Sequence, residues 1–444
     1  MYNVPCMLIK VIPLMKKLLY ATFVLLTITL PTTHAYIFGE KNSKPAEVED
    51  LTLDQDLPEK IDSPNREYAW FWQRTEPKKN QASTASKSKT PASLPSPRFI
   101  STPHIALLLP LSGQYESAAL AIREGFIGAY YLEQQRDPNT AMDIRIYDTK
   151  ADKNVPRAYE DAVQQGANVI VGPLSKPGLE ALLDSEKIDN NIPMISLNTL
   201  ETRNRLPRYL YPFALSPEDE AMRLAEQAIH DGHHTAVGLV QDDSYGGRAF
   251  RAFKRRFEQL GGSVKDIIYF DPNRALEDPV RYILKIDSNA SSDNPPRPRQ
   301  SMDLIFLVAK PQQARQIPPL LKFYFAQNTP IYAMSSVYSG IPNPGLDNDL
   351  NGIIFCDSPW IIDTAQRDPA LVTMSSQLHT PATQDRLFAF GVDAFLVARQ
   401  MSHLSSVSEL RVNGVTGELS MDKSGFIVRN VPCARFSLGV PHVL

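Results

Sequence analysis

Residues 105–113 read IALLLPLSG, five apolar residues in a row followed by a proline-containing turn. An uninterrupted apolar run of this length indicates a strand that is buried on both faces, as strands of parallel sheets are. The residues after the turn predict a helix, because apolar positions recur there every three or four residues. These positions are Ala119, Ile122, Phe126 and Tyr130. The fold therefore begins with a buried strand and an amphipathic helix.

The same alternation of strand and helix patterns continues through most of the chain. Further buried strands are predicted at 144–147, 169–171, 194–197, 236–240, 264–270 and 304–308. Helices are predicted between them, and Pro217 followed by three acidic residues marks the first turn of one helix. Pro318 and Pro319 are expected to split the helix that Pro311 starts. Strands that alternate with helices of this length predict parallel sheets, and the chain is long enough for two such α/β units in series.

The N-terminus predicts an export signal. A basic pair of lysines precedes the apolar run 18–30, and a small-x-small pattern ends at Ala35. Residues 1–35 are therefore predicted to be a signal peptide that is cleaved after Ala35. Two alternatives stay open, namely an uncleaved anchor and a true start at Met15.

Residues 36–103 predict a polar tether rich in Pro, Ser and Lys, because such a segment cannot bury enough apolar surface to offset its ordering entropy. The stretch 68–72 interrupts it with the aromatic sequence YAWFW. This stretch either docks on the folded domain or binds a partner, and the sequence does not choose between the two.

Charge and cysteine content argue against several classes of protein. The net charge of −3 gives no electrostatic reason to expect a nucleic-acid partner. Three cysteines are too few for a disulfide scaffold or a thiolate zinc cluster. Cys6 precedes the apolar run, so the sequence does not support membrane anchoring by lipid. Cys356 and Cys433 could pair in an oxidising compartment, and the sequence leaves that disulfide open.

No residue pattern predicts catalysis, a metal site or a cofactor. His230, His233 and His234 have a spacing that would suit a metal, but Gly232 interrupts the helix that would have to carry them. The S-x-x-K pattern at 86–89 falls in the tether, whereas a catalytic serine of that type needs a rigid helix in a pocket. We therefore predict a protein that binds and is not an enzyme.

Three stretches resemble type I periplasmic binding proteins. Residues 105–113 resemble their opening strand and first loop, and VGPLS at 171–175 resembles their third strand and ligand loop. GVTG at 414–417 with DKSG at 422–425 resembles their closing segment. The resemblance implies an α/β clamshell of two Rossmann-like lobes with parallel sheets and a hinge. The expected lobes are residues 104–213 with about 336–413, and residues 214–335 with about 414–444.

Other stretches are similar to a narrower family, the LppC-type penicillin-binding-protein activators. They are PQQAR at 311–315, LLKFYF at 320–325, DLNG at 349–352 and CDSPW at 356–360. The resemblance implies a non-catalytic protein of the periplasm, associated with the outer membrane, that binds a class A penicillin-binding protein and stimulates peptidoglycan synthesis. The sequence departs from that family's pattern in two ways, since it lacks a lipobox cysteine and a helical-repeat domain before the clamshell.

Two facing sheets would also place the carboxyl ends of their strands around a cleft, where such folds bind ligands. The candidate cleft residues are Ser112, Gly113, Ser175 and Thr199 from lobe one, with Tyr245 and Ser335 from lobe two or the hinge. Ser112 and Ser175 could instead only cap helices. The alternative function is therefore a periplasmic receptor that closes on an amino acid or a similar small molecule in the interlobe cleft.

Overall fold

A computed structural model describes residues 103–138, 142–150, 154–189, 191–200, 207–286, 301–377, 382–403 and 410–444. The predicted signal peptide, almost all of the tether and the aromatic stretch 68–72 lie outside these residues. Within them the chain is a mixed α/β protein with parallel sheets, which confirms the predicted fold class.

The described residues form fifteen strands. They are β1 His104–Leu109, β2 Asp143–Asp148, β3 Ala167–Val171, β4 Met194–Ser196, β5 Leu210–Pro212, β6 Thr235–Gln241, β7 Ser263–Phe270, β8 Leu304–Val308, β9 Ile331–Ala333, β10 Ile354–Cys356, β11 Arg411–Asn413, β12 Glu418–Met421, β13 Ile427–Asn430, β14 Cys433–Ser437 and β15 Val440–Val443.

The described helices alternate with these strands through most of the chain. They are α1 Glu116–Arg136, α2 Val155–Gln164, α3 Lys176–Asp184, α4 Pro217–His230, α5 Ser244–Gln259, α6 Glu277–Leu284, α7 Pro311–Ala314, α8 Ile317–Phe323, α9 Pro344–Asp347, α10 Pro359–Ile362, α11 Pro369–Gln377 and α12 Asp385–His403. The predicted split in the helix that begins at Pro311 is the break between α7 and α8, where Pro318 lies in the first turn of α8.

Two sheets dominate the fold. The first has the order β2-β1-β3-β4-β5 and is parallel throughout. The second has the order β15-β14-β10-β9-β8-β6-β7, in which the pairs β10–β14 and β14–β15 are antiparallel and the other pairs are parallel. A small antiparallel sheet of β11, β12 and β13 completes the set.

The apolar run of β1 is uninterrupted because both faces of this strand are covered. Ile105, Leu107 and Leu109 face the core that contains α1 and α12, whereas Ala106 and Leu108 face the core that contains α2 and α3. Successive side chains of a strand point to opposite faces, so a strand covered by helices on both sides must be apolar at every position.

Helix α12 packs along α1 at close range. Gly391 of α12 faces the backbone carbonyl of Ile122, and Gly125 of α1 faces the carbonyl of Phe388, with no room for a side chain at either glycine. The rings of Phe126 and Phe395 meet edge to face at 5.4 Å beside this contact. The last long helix thus returns to the helix layer of the first sheet.

The sheet to which β10 belongs differs from the predicted lobe division. The predicted lobe one includes residues from about 336 to 413, whereas β10 at Ile354–Cys356 pairs with β9 in the second sheet. Between β9 and β10 the chain forms only short helical turns, and after β10 both α11 and α12 pack on α1. The remaining lobe boundaries stay a prediction.

Candidate functional site

The first two predicted cleft residues, Ser112 and Gly113, lie in the exposed turn between β1 and α1. Gly113 has a φ of +85°, which favours glycine. Ser112 does not cap α1, because the residue at the N-cap position is Tyr115. The turn is held to β2 by the backbone N–H of Leu111, which donates to the Asp148 carboxylate at 3.0 Å.

Ser175 and Thr199 lie in the loops after β3 and β4. Ser175 is buried, and its hydroxyl accepts the N–H of Gly178 at 3.1 Å, so it is the N-cap of α3. Thr199 donates its backbone N–H to the Asn198 side chain at 2.9 Å, and that side chain donates to the Leu174 carbonyl at 3.0 Å. These bonds tie the two loops together. Any ligand contact by Ser175 or Thr199 stays a prediction.

Ser335 is part of a separate group around the buried carboxyl of Glu220. Ser335 follows β9, and it donates both its N–H and its hydroxyl to Glu220, the hydroxyl at 2.9 Å. Burial, with a smaller contribution from the nearby Asp357 carboxylate, raises the pKa of Glu220 to about 8 in spite of these bonds. Glu220 is therefore mostly protonated at neutral pH.

Arg386 links this group to α12. Its guanidinium donates to the Asp357 carboxylate at 2.6 Å from Nη2 and 3.0 Å from Nε, and both side chains are largely buried. Nη2 also reaches the backbone carbonyl of Tyr338 at 3.0 Å. Although burial acts to lower the pKa of Arg386, the Asp357 charge more than offsets this and raises it. The start of α12 is thus anchored to the residues that follow β9 and β10.

A cavity of about 130 Å³ opens beside Arg386, at the carboxyl ends of β6 and β8 and in the segment after β9. Its lining residues are Gln241, Asp243, Tyr245, Val308, Ala309, Lys310, Pro311, Ser336, Tyr338, Ser339, Thr383 and Arg386. We call this cavity the hinge pocket. Of the six predicted cleft residues Tyr245 lines it, and Ser335 lies next to the lining residue Ser336. Burial raises the pKa of Tyr245 well above its ordinary value, and Glu220 adds to this effect.

Sequence reasoning missed Arg386, Gln241 and Tyr338. An arginine in the first turn of an amphipathic helix has the pattern of a solvated charge, and its partner Asp357 is 29 residues away. Gln241 continues an apolar strand by one position, which is the only local signal that it is buried.

The G-x-T-G segment has an internal structural role. The backbone N–H groups of Val415 and Thr416 and the hydroxyl of Thr416 all donate to the carboxylate of Asp393, which α12 carries fully buried. Gly414 packs directly on that carboxylate with no room for a side chain. Burial raises the pKa of Asp393 to about 6 against the effect of these bonds. This segment is therefore a second anchor for α12.

One of the motifs shared with the narrower family is held by a buried ion pair. Arg315 of the P-Q-Q-A-R motif donates to Asp347 at 2.7 Å, and Asp347 is fully buried. Asp347 also accepts the N–H of Asn343 at 3.2 Å. The pair therefore joins the end of α7 to α9.

Cys356 and Cys433 form a disulfide in the structure, joining β10 to its antiparallel neighbour β14. Both residues are buried, and they lie directly opposite each other in the strand pair.

Within the described residues, no cluster of three or more His, Cys, Asp or Glu side chains could hold a metal ion. None of the described helices combines the length and apolar character needed to span a bilayer.

Comparisons of sequence and of structure point to the same group of proteins. The penicillin-binding protein activator LpoA of Photobacterium profundum is 27% identical over 351 residues, which cover 75% of this chain and 56% of that protein. LpoA of Haemophilus influenzae is 27% identical over 337 residues, covering 76% of this chain and 54% of the relative. The chain therefore spans little more than half the length of these relatives.

The solved C-domain of LpoA from Haemophilus influenzae, described as a regulator of PBP1A, superposes with a TM-score of 0.63. It is 26% identical, and the match covers 77% of this chain and 99% of that domain. The model of the family described as "LppC putative lipoprotein" matches residues 71–439, which is most of the chain. The resemblance seen in the sequence motifs is confirmed, and the chain belongs to the LppC family.

Proposed function

We propose that this protein is a non-catalytic regulator in the periplasm that binds a class A penicillin-binding protein and stimulates peptidoglycan synthesis. The observation that carries the proposal is the match to nearly the whole C-domain of LpoA, a protein described as a regulator of PBP1A. The names of the relatives, activator and regulator, support a role without catalysis of its own.

The family and its relatives also support a place in the cell envelope. Within the envelope we propose the periplasm, in association with the outer membrane. The predicted export signal at residues 1–35 agrees with this location.

The L-L-K-F-Y-F motif offers residues for a first test of partner binding. Phe323 and Phe325 are 69% and 62% exposed, while Leu321 and Tyr324 of the same motif are buried. Tyr324 donates its hydroxyl to Glu277 at 2.9 Å, which fixes α8 on α6. Phe323 is the last residue of α8 and Phe325 lies just beyond its end. Exposed aromatic side chains in a well-anchored segment are of the type that forms the centre of protein interfaces. We therefore choose Phe323 and Phe325 as candidate contact residues.

The alternative of a solute receptor has weaker support. Its candidate residues in the first sheet include Ser175, whose hydroxyl already caps α3, and Ser112, which is exposed in a turn. The relatives described above carry the names of activators and regulators.

The direct test measures association and activity together. For binding, the purified protein is immobilised and the periplasmic part of a class A penicillin-binding protein from the same organism is the analyte. For activity, glycan polymerisation from lipid II by that enzyme is followed with and without the protein. We expect saturable binding and a faster rate, and no binding of a class B enzyme used as the control. No association combined with an unchanged rate would refute the proposal.

Matched variants sharpen the test. Replacing both Phe323 and Phe325 by serine is expected to weaken binding by about tenfold or more, because buried aromatic contacts at interface centres contribute most of the affinity. Leu438→Ser is the control, since Leu438 is 79% exposed and lies outside the family motifs. Equal weakening by both changes would show that these two phenylalanines are not the contact.

A further inference from the structure

One side of helix α1 carries apolar surface that the described residues do not fully cover. Ile127 and Tyr130 on α1, and Ile144 and Ile146 on β2, pack against the main core yet stay only partly buried. Tyr131 is 46% exposed. Residues four positions apart lie on one face of a helix, so Tyr131 continues the face of Ile127. We call these five residues the α1 margin.

The margin lies at the edge of the first sheet. Within the described residues β2 pairs only with β1, so no further strand extends the surface beyond it. Helices α11 and α12 pack on α1 at Gly128 and Gly125, which are not part of the margin. A contiguous apolar surface of this kind is typical of a site that another segment covers.

The upstream chain enters the domain beside this margin. His104, the first residue of β1, pairs with Asp143, the first residue of β2. The pKa of Tyr130 in the margin is raised mainly by burial, and its neighbour Tyr131 and the Asp143 carboxylate add to this effect, as groups close in space do. Neighbouring strands are about 5 Å apart. The end of the tether is therefore about one strand away from the margin.

The aromatic stretch 68–72, which lies outside the described residues, has the composition that suits such a surface. It reads YAWFW, with four aromatic residues among five. Each aromatic side chain can bury about 150–250 Å², and aromatic pairs add to the energy of that burial. The family model begins at residue 71, so it takes in the end of this stretch together with the whole domain.

The length of chain between the two permits contact. About 30 residues separate Trp72 from His104, and a flexible chain of that length has an average end-to-end distance of about 30 Å. This exceeds the spacing of one strand and one packed layer, which is about 10 Å. A short tether also gives a local concentration in the millimolar range, so even a weak contact forms within one chain.

We propose that residues 68–72 dock on the α1 margin, with their aromatic side chains packed against Tyr131, Ile127 and Ile144. The contact attaches the tether to the first sheet at a second point and fixes the direction from which the chain approaches the domain. This inference goes beyond the proposed function and does not depend on it.

The test follows the tryptophans of the full chain by acrylamide quenching. The chain has three tryptophans, Trp70, Trp72 and Trp360, and Trp360 is only 2% exposed. If the stretch docks, acrylamide quenches little of the emission, because all three are covered. Quenching of Trp70 and Trp72 as readily as of the free model compound N-acetyltryptophanamide would overturn the proposal.

Two tyrosines form a matched pair of variants. Tyr131 and Tyr282 are both exposed on helices, at 46% and 60%, and Tyr282 lies on α6, outside the margin. Lysine is a good helix former, but at position 131 it places a charge where the aromatic rings would pack. We expect Tyr131→Lys to lower the ratio of docked to undocked chain about tenfold and so to increase quenching, whereas Tyr282→Lys should match the wild type. Equal quenching in both variants would overturn the assignment.

Hydrogen exchange gives an independent measurement that leaves the margin itself unchanged. Here the four aromatic residues of 68–72 are replaced by serine. We expect faster exchange in the second half of α1 and in β2, because the covering segment is lost, and unchanged exchange in α6. Unchanged exchange in α1 and β2, or an equal increase in α6, would overturn the proposal.

Discussion

The buried carboxyl of Glu220 should make the stability of this protein fall as the pH rises through the neutral range. Its folded-state pKa is about 8, whereas its ordinary value is 4.5. Between these values the unfolded chain has released the proton and the folded chain still holds it, so each unit of pH removes about 1.4 kcal/mol of stability. The stabilising contribution is complete below pH 4.5 and lost above pH 8. Between pH 5 and pH 7 the decrease is about 3 kcal/mol.

Glu220→Gln isolates this effect. Glutamine cannot ionise, but its carbonyl can still accept the Ser335 N–H and its amide can bond the Ser335 hydroxyl. We expect the difference in free energy of unfolding, variant minus wild type, to increase by about 3 kcal/mol between pH 5 and pH 7. Asp219 and Asp393, whose pKa values burial raises to about 6, are present in both proteins and cancel in the difference.

The assay is urea unfolding at half-unit steps of pH, monitored by tryptophan fluorescence. Glu226→Gln is the matched control on the same helix, because Glu226 is about one third exposed and pairs with Arg256 at the surface. Its pH dependence should run parallel to that of the wild type. Parallel curves for Glu220→Gln and the wild type would refute the conclusion that Glu220 is buried and protonated.

Two other features can be tested by changes in stability. Arg386→Met should lower the free energy of unfolding by about 3–5 kcal/mol, because it leaves the buried Asp357 unpaired. The control is Arg399→Met, a change on the same helix that breaks a partly exposed ion pair with Glu133 of α1 and should cost no more than about 1 kcal/mol. Equal losses in urea unfolding would contradict the role of Arg386. Replacing Cys356 and Cys433 by alanine should cost about 4–5 kcal/mol for a cross-link that spans 77 residues. Maleimide labelling of both cysteines in unreduced, denatured protein would instead show that they are not paired.

The alternating pattern predicted most of the elements because each obeys a local rule. The strand at Ile105–Leu109 is apolar at every position because helices cover both of its faces. Pro217 and the acidic residues after it mark the start of α4, and Ser216 caps that helix. Turn, capping and periodicity signals of this kind depend on neighbours within a few residues, so a single sequence contains them.

The candidate site was less accessible to sequence reasoning, because its contacts join distant residues. Ser335 and Glu220 are 115 positions apart. The rule that ligands bind at the carboxyl ends of parallel strands led to Tyr245 on the pocket and to Ser335 beside it. The same rule could not reveal that the hydroxyl of Ser175 is engaged in a helix cap, nor that Arg386 is buried. Which polar groups are left without a partner depends on all the contacts of the fold at once.

The start of α12 borders the hinge pocket. Arg386 and Thr383 line the pocket, and the body of α12 carries Asp393, which holds the G-x-T-G segment, and packs on α1. If a protein partner binds more tightly to one arrangement of α12 and the second sheet, any interaction that stabilises that arrangement must increase the partner's affinity. By linkage the bound partner must then stabilise that arrangement by the same factor. The Arg386–Asp357 pair holds the start of α12 to the residue that follows β10, so it would set how large that factor can become.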